Sequence, residues 1–194
     1  MTQLPARGAP RRDTAGMRNY LLATLLATCC ALAAAPSARA SAPRAGAAHA
    51  AAPPVAAALE EPEVRAFMTR IENASRARDV AQLAATLADD CRVELRTRLA
   101  GREQLTQLTR AQYLELLQHG YAAFRDLERY DYVLSDVRVT LAADGSAATV
   151  ASHVTETLVF SGTPTVTESE ETSRIERRGG ELKLVAVSAL TLGR

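Results

Sequence analysis

Cysteine and histidine are both scarce in this chain, and no apolar run in it is long enough to cross a membrane. Three cysteines occur in 194 residues, at Cys29, Cys30 and Cys91, and three histidines, at His49, His119 and His153. None of the histidines is paired at ligand spacing, which disfavours a metal centre. Neither a glycine-rich phosphate loop nor a G-x-S-x-G elbow is present, so no bound nucleotide and no other cofactor is expected. The longest apolar run, Leu21 to Ala35, has 15 residues before Pro36 interrupts it, short of the about 20 that a spanning helix needs. Arginines are spread along the chain apart from Arg177-Arg178, which adjoins Gly179-Gly180 and reads as a hairpin tip. Without a basic cluster, nucleic acid is excluded as a partner.

What the apolar run does fit is a secretory signal peptide. Arg18 precedes it, and Ser37-Ala38-Arg39-Ala40 follows as a small-x-small cleavage site after Ala40. Export to the periplasm or the medium is therefore expected, with residues 1–40 removed and no stable membrane span left behind. A retained anchor and a lipoprotein cut at Cys29 are the rival readings. Removal takes five of the 23 basic residues and one of the 22 acidic ones, leaving 18 and 21 and a net charge of −3. It also leaves Cys91 as the sole thiol. One cysteine makes no internal disulfide, so the domain must rest on its hydrophobic core. Residues 41–59 are almost entirely Ala and Pro, read as a disordered or polyproline-like linker. The folded unit is expected over 60–194, a single-domain length.

Within that unit the apolar period changes once. Val64, Phe67, Met68 and Ile71 recur at i, i+3, i+4 and i+7, an amphipathic helix behind Glu61-Pro62. Asp79 with Gln82 reads as an N-cap, with Val80, Leu83 and Leu87 on the next helix's apolar side. Cys91 to Thr97 alternates as a short strand. Thr109 with Gln112 opens the longest helix, whose Tyr113, Leu116, Leu117, Tyr121 and Phe124 lie on one side. From Tyr132 onward the chain reads as antiparallel strands, turning at Ala143-Asp144-Gly145-Ser146, at Ser161-Gly162-Thr163-Pro164 and at Gly179-Gly180. Helices first and a meander second predict an α+β domain with helices on one face of the sheet.

This order carries a family resemblance. The segment Ala77 to Val93 (ARDVAQLAATLADDCRV) resembles the opening signature of the nuclear transport factor 2-like superfamily, its SnoaL-like branch in particular. Leu99 to Leu105 (LAGREQL) is similar to the Gly-x-x-x-Leu step that follows, and the late hairpins look like the closing strands. The family often has tryptophan in the last hairpin; this chain has Leu182 there and no tryptophan anywhere. The resemblance implies a cone, a curved antiparallel sheet wrapped on N-terminal helices with a pocket between them. It also implies a homodimer through the sheet's outer face and a small apolar ligand. Members include isomerases, dehydratases and cyclases as well as proteins that only bind, so fold alone decides nothing about activity.

The candidate site residues follow from which polar groups turn inward. On the second strand of the meander Glu156 shares a face with Val150, Ser152, Val154, Leu158 and Phe160, a carboxylate among core residues that desolvation would make a general acid or base. The competing reading pairs Glu156 with Arg138 or Arg174. His153 faces the other side. Tyr113 and His119 on the long helix are candidates for donor and shuttle, and Asp90 is a candidate by resemblance alone. Phe67, Tyr121 and Glu170 are candidate ligand contacts, Glu170 on a strand polar on both faces. Two functions stand: a non-catalytic exported module binding a ligand or partner in its cone, and a cofactor-free proton-transfer enzyme. The first is preferred, because no acid–base set is unambiguous. Convergence of Glu156, a tyrosine hydroxyl and His119 would favour the enzyme, and an arginine pair would count against it.

Overall fold

A computed structural model describes residues 58–99 and 102–192. The expected signal segment, and the linker up to residue 57, lie outside the described residues. Three helices and six strands follow in the order α1 (Glu61–Arg76), α2 (Val80–Thr86), β1 (Leu87–Leu99), β2 (Arg102–Thr109), α3 (Arg110–Ala123), β3 (Arg129–Leu141), β4 (Ala147–Phe160), β5 (Thr163–Arg178) and β6 (Glu181–Leu192). The strands form one sheet in the order β2-β1-β6-β5-β4-β3. Every neighbouring pair is antiparallel except β1 and β6, which run parallel. No described helix is long and apolar enough to cross a membrane.

The expected periodicity of α1 is met by its burial. Val64, Phe67, Met68 and Ile71 are all core residues, in one cluster with Val93, Val150, Ile175 and Leu184 from the sheet. The polar side of α1 does a second job. Glu72 accepts from the backbone N of Leu134 at 3.3 Å, while Arg65 and Arg76 donate to the carbonyls of Val137 and Tyr132 at 3.2 and 3.1 Å. The open edge of β3 is thus satisfied by helix side chains, one way of shielding an edge strand from a second chain.

Chain order explains the remaining placements. Asp79 caps α2 through the backbone N of Gln82 at 3.0 Å, as expected. However, α2 ends at Thr86, and the chain passes straight into β1 four residues before the strand predicted from Cys91. The folded unit also starts earlier than 60. Leu59, read as the last linker residue, is 4% exposed and its N donates to the carbonyl of Gly145 at 2.9 Å. That contact needs glycine at 145, where φ is +67° and a Cβ would fall 2.6 Å from the Cβ of Ala58.

Helix α3 opens on a complete capping box between Thr109 and Gln112, yet none of its residues is fully buried. Tyr113, Leu114, Leu117 and Tyr121 rest on the core from the half-buried side. Arginines pin both its ends. Arg110 donates to the carbonyl of Ala84 at 2.9 Å, and Arg78 donates to the carbonyl of Phe124, beyond the last turn, at 2.9 Å. Thr109→Ala is expected to lower the unfolding free energy by about 1 kcal/mol, read by urea denaturation. A loss of only a few tenths would mean that the arginine pins, not the box, hold the start of α3.

Candidate active site between helix α3 and the sheet

Hairpin register decides which side chains share the inner face. Ser161 and Gly162, with φ of +51° and +72°, make a two-residue turn that fits the right-handed strand twist. This fixes Phe160 opposite Thr163, Glu156 opposite Thr167 and Ser152 opposite Glu171. Two carboxylates from adjacent strands therefore lie on one face, separated by the Val154–Ser169 pair. On β3 the register slips by one between Ser135 and Arg138, with Asp136 at φ +52°. Before that bulge the even positions Tyr130, Tyr132 and Leu134 turn inward; after it the odd positions Val137 and Val139 do.

These two devices gather all four tyrosines of the described domain around the two glutamates. The Tyr130 hydroxyl donates to Oε1 of Glu156 at 2.7 Å. Its ring meets that of Tyr121 edge-on, centroids 6.2 Å apart, and the Arg78 guanidinium lies 5.7 Å from its centroid. Tyr113 from α3 and Tyr132 from β3 both feel the charges of Glu171 and Glu156. Glu171 has no hydrogen-bond or ion-pair partner among the described residues.

The electrostatics follow from desolvation without a compensating cation. Burial raises the Glu156 carboxyl above its usual range, with the Tyr130 hydrogen bond pulling the other way. Burial, and then the charge of Glu156, push Glu171 up to about 7. All four tyrosines are raised, chiefly by burial and next by the nearby glutamates, Tyr121 to about 12. At neutral pH the hydroxyls therefore stay protonated as donors, while the Glu171 carboxyl sits near half-titration. That is the pattern of a group that gives and takes protons without a large penalty.

The fold is similar to that of known structures. No protein-family model matches the chain, and no curated protein matches it in sequence. Among solved structures it is similar to an NTF2-like protein with a cystatin-like fold from Novosphingobium aromaticivorans, at 18% identity and a TM-score of 0.55 over 68% of this chain and 80% of that one. The chain has the nuclear transport factor 2-like fold. A putative scytalone dehydratase from the same organism aligns at 15% identity and a TM-score of 0.53, over 68% of this chain and 83% of that one. The ActVI-ORFA protein of Streptomyces coelicolor aligns at 22% and 0.52, over 67% and 95%.

In this nuclear transport factor 2-like frame the sequence candidates separate. Glu156, Tyr113 and Tyr121 come together. Neither arginine proposed as a partner reaches Glu156: Arg174 pairs with Glu176 at 3.0 Å, and Arg138 is exposed on the far side of the bulge. His119 is exposed on α3 and does not join the group. Asp90 points to solvent, its side chain 72% exposed, 4.0 Å from Arg178. Glu170 is exposed opposite His153 on the outer face; its neighbour Glu171 is the inward residue. Phe67 is 1% exposed in the core, where it borders a surface cleft of about 450 Å³ with Glu63, Arg70 and Arg177. A second cleft, about 500 Å³, lies beside Asp90 and Arg110. Neither cleft includes a site glutamate.

Sequence reasoning missed Glu171, Tyr130 and Tyr132 as site residues. The signal for Glu171 was the Ser-Gly pair: a two-residue turn makes partner numbers across β4 and β5 sum to a constant. Cys91, the one cysteine among the described residues, is buried, and desolvation raises it to about 11, so it stays an unreactive core group. Among the described residues no group of three or more His, Cys, Asp or Glu side chains is placed to hold a metal ion.

Proposed function

We propose that this chain binds a small organic molecule between α3 and the inner face of the sheet and moves a proton on it without a cofactor. The observation that carries this is the Tyr130–Glu156 hydrogen bond with the unpaired Glu171 on the next strand. An arginine in place of Tyr130 would hold Glu156 as a permanent anion and remove it from proton transfer. With tyrosine there, Glu171 is the group poised to take a proton from carbon or oxygen. Glu156 receives or shares it, and the tyrosine hydroxyls stabilise charge developing on a carbonyl oxygen. The similar putative dehydratase makes this chemistry compatible with the fold, which by itself does not decide it. The preference drawn from sequence, a non-catalytic module, rested on the lack of an unambiguous acid–base set; the Tyr130–Glu156 hydrogen bond beside Glu171 supplies a candidate one.

Two further parts of the reading concern place and assembly. Export follows from the apolar run and the small-x-small site before residue 41. A homodimer through the sheet's outer face is supported by Val133 and Val166, 39% and 55% exposed there.

Hydrogen–deuterium exchange tests the chemistry without the natural substrate. Cyclic ketones and enones incubated with the protein in D₂O are expected to lose their α-protons faster than in buffer, followed by NMR. Glu171→Gln is expected to slow that exchange by at least about 100-fold, the usual scale of a positioned base. Saturable binding with no exchange would return the reading to a non-catalytic module.

A further inference from the structure

The inner face is short of positive charge in a way that points to what it takes. Two carboxyl groups lie on neighbouring strands, and among the described residues no lysine, arginine or histidine is paired with either. The groups around them are Tyr113 and Tyr121 from α3 and Tyr130 and Tyr132 from β3, with the Cys91 thiol of β1 near Tyr113 and Arg78 of the α1–α2 turn over the Tyr130 ring. Strand β6 offers only Val187 and Ala189 opposite Ser173 and Glu171. Arg78 does not neutralise the pair: it donates to the carbonyl of Phe124 and lies over the Tyr130 ring.

A tyrosine ring carries a negative face that attracts cations, most strongly where water is excluded. One of the four rings is already used in this way by Arg78. Of the other three, Tyr113 and Tyr132 feel the charge of Glu171, whose half-buried carboxyl has no partner among the described residues. An anion entering here would meet two carboxylates; a neutral apolar guest would leave them desolvated and unmatched. A cation answers both.

We propose that the face formed by Glu156, Glu171 and the four tyrosines takes an organic cation, a substituted ammonium group seated among the rings against Glu171. This rests on the reading that the inner face binds a small molecule, and it narrows the class to amine-bearing compounds. Because Glu171 titrates near neutrality, the cation replaces a proton, and its affinity rises with pH until the carboxyl is ionised.

The test titrates choline and its neutral isostere 3,3-dimethylbutan-1-ol into the full chain by calorimetry. Near pH 8 choline is expected to bind at least about tenfold more tightly than the isostere, and to weaken by up to about tenfold per pH unit below about 7. Glu171→Gln should weaken choline by about tenfold or more and leave only the pH dependence that Glu156 contributes, whereas Tyr132→Phe, which keeps the ring, should stay within about twofold. Equal affinity for the isostere, or choline binding indifferent to pH in the wild type, overturns the cation proposal. No binding of either compound overturns it as well. In each of these cases ketone exchange still reports independently on the proton-transfer reading.

Discussion

Phe67→Ala is expected to destabilise the domain by about 3–5 kcal/mol, the range for deleting a large aromatic side chain from a packed core. Phe67 is 1% exposed and is among the largest of the fully buried side chains. It belongs to the cluster that joins α1 to Val150, Ile175 and Leu184, and its ring also carries the Arg70 guanidinium at 5.4 Å. Among the described residues no disulfide limits the damage, since Cys91 is free. Domains of this kind are stable by about 5–15 kcal/mol, so the variant would lose about a fifth of that or more. Urea denaturation followed by circular dichroism reads the loss directly. The alternative in the sequence, Phe67 as a ligand contact, makes the opposite prediction. A variant that stays within about 1 kcal/mol of wild type but loses ligand would restore that role.

The sequence was legible wherever one residue type imposes one local geometry. Asp79, Thr109 and Gln112 mark helix starts because their side chains satisfy backbone N–H groups that nothing else can reach. Gly179 and Gly180, with φ of +59° and +87°, mark a hairpin because side chains resist that conformation. Legibility failed where geometry depends on a distant partner. Strand β2 reads as polar and featureless, all of it exposed or half-buried, and becomes a strand by pairing with β1. The β3 bulge at Asp136 has no glycine to announce it, so alternation alone does not show that the inward set changes from Tyr130, Tyr132 and Leu134 to Val137 and Val139. For the candidate site this mattered most. Glu156 could be found from one strand's alternation, but Glu171 needed the register across a turn, and taking Ser161 to Pro164 as a four-residue turn left Glu170 and Glu171 indistinguishable. His119 failed for a related reason: α3 sits half-buried over the sheet, and the margin of its apolar stripe opens to solvent.

The same two carboxyls give the second large effect, in stability against pH. Glu171 has a folded value of about 7 against an ordinary 4.5. A carboxyl raised on folding favours the folded state while both states are protonated and penalises it once the folded group must ionise. Between about pH 4.5 and 7 the folded state therefore holds the extra proton, and stability falls as pH rises, levelling off above 7. The gap between 4.5 and about 7 corresponds to roughly 3 kcal/mol. Glu156 is raised too and adds in the same direction. The carboxyls held low, Glu94, Asp144 and Glu181, act with the opposite sign but only below the ordinary carboxylate range, outside this window. Urea midpoints for wild type should thus be higher near pH 5 than near pH 8. Glu171→Gln should match wild type near pH 5 and exceed it by roughly 3 kcal/mol near pH 8, with only the Glu156 slope remaining. A wild-type profile flat across that range would mean that Glu171 ionises without cost, in contact with water. The inner face would then be no desolvated acid–base site, and the cation would have no proton to displace. A stabilised Glu171→Gln protein would instead show a carboxyl kept against the interest of the fold, the expected mark of a group retained for what it binds or does.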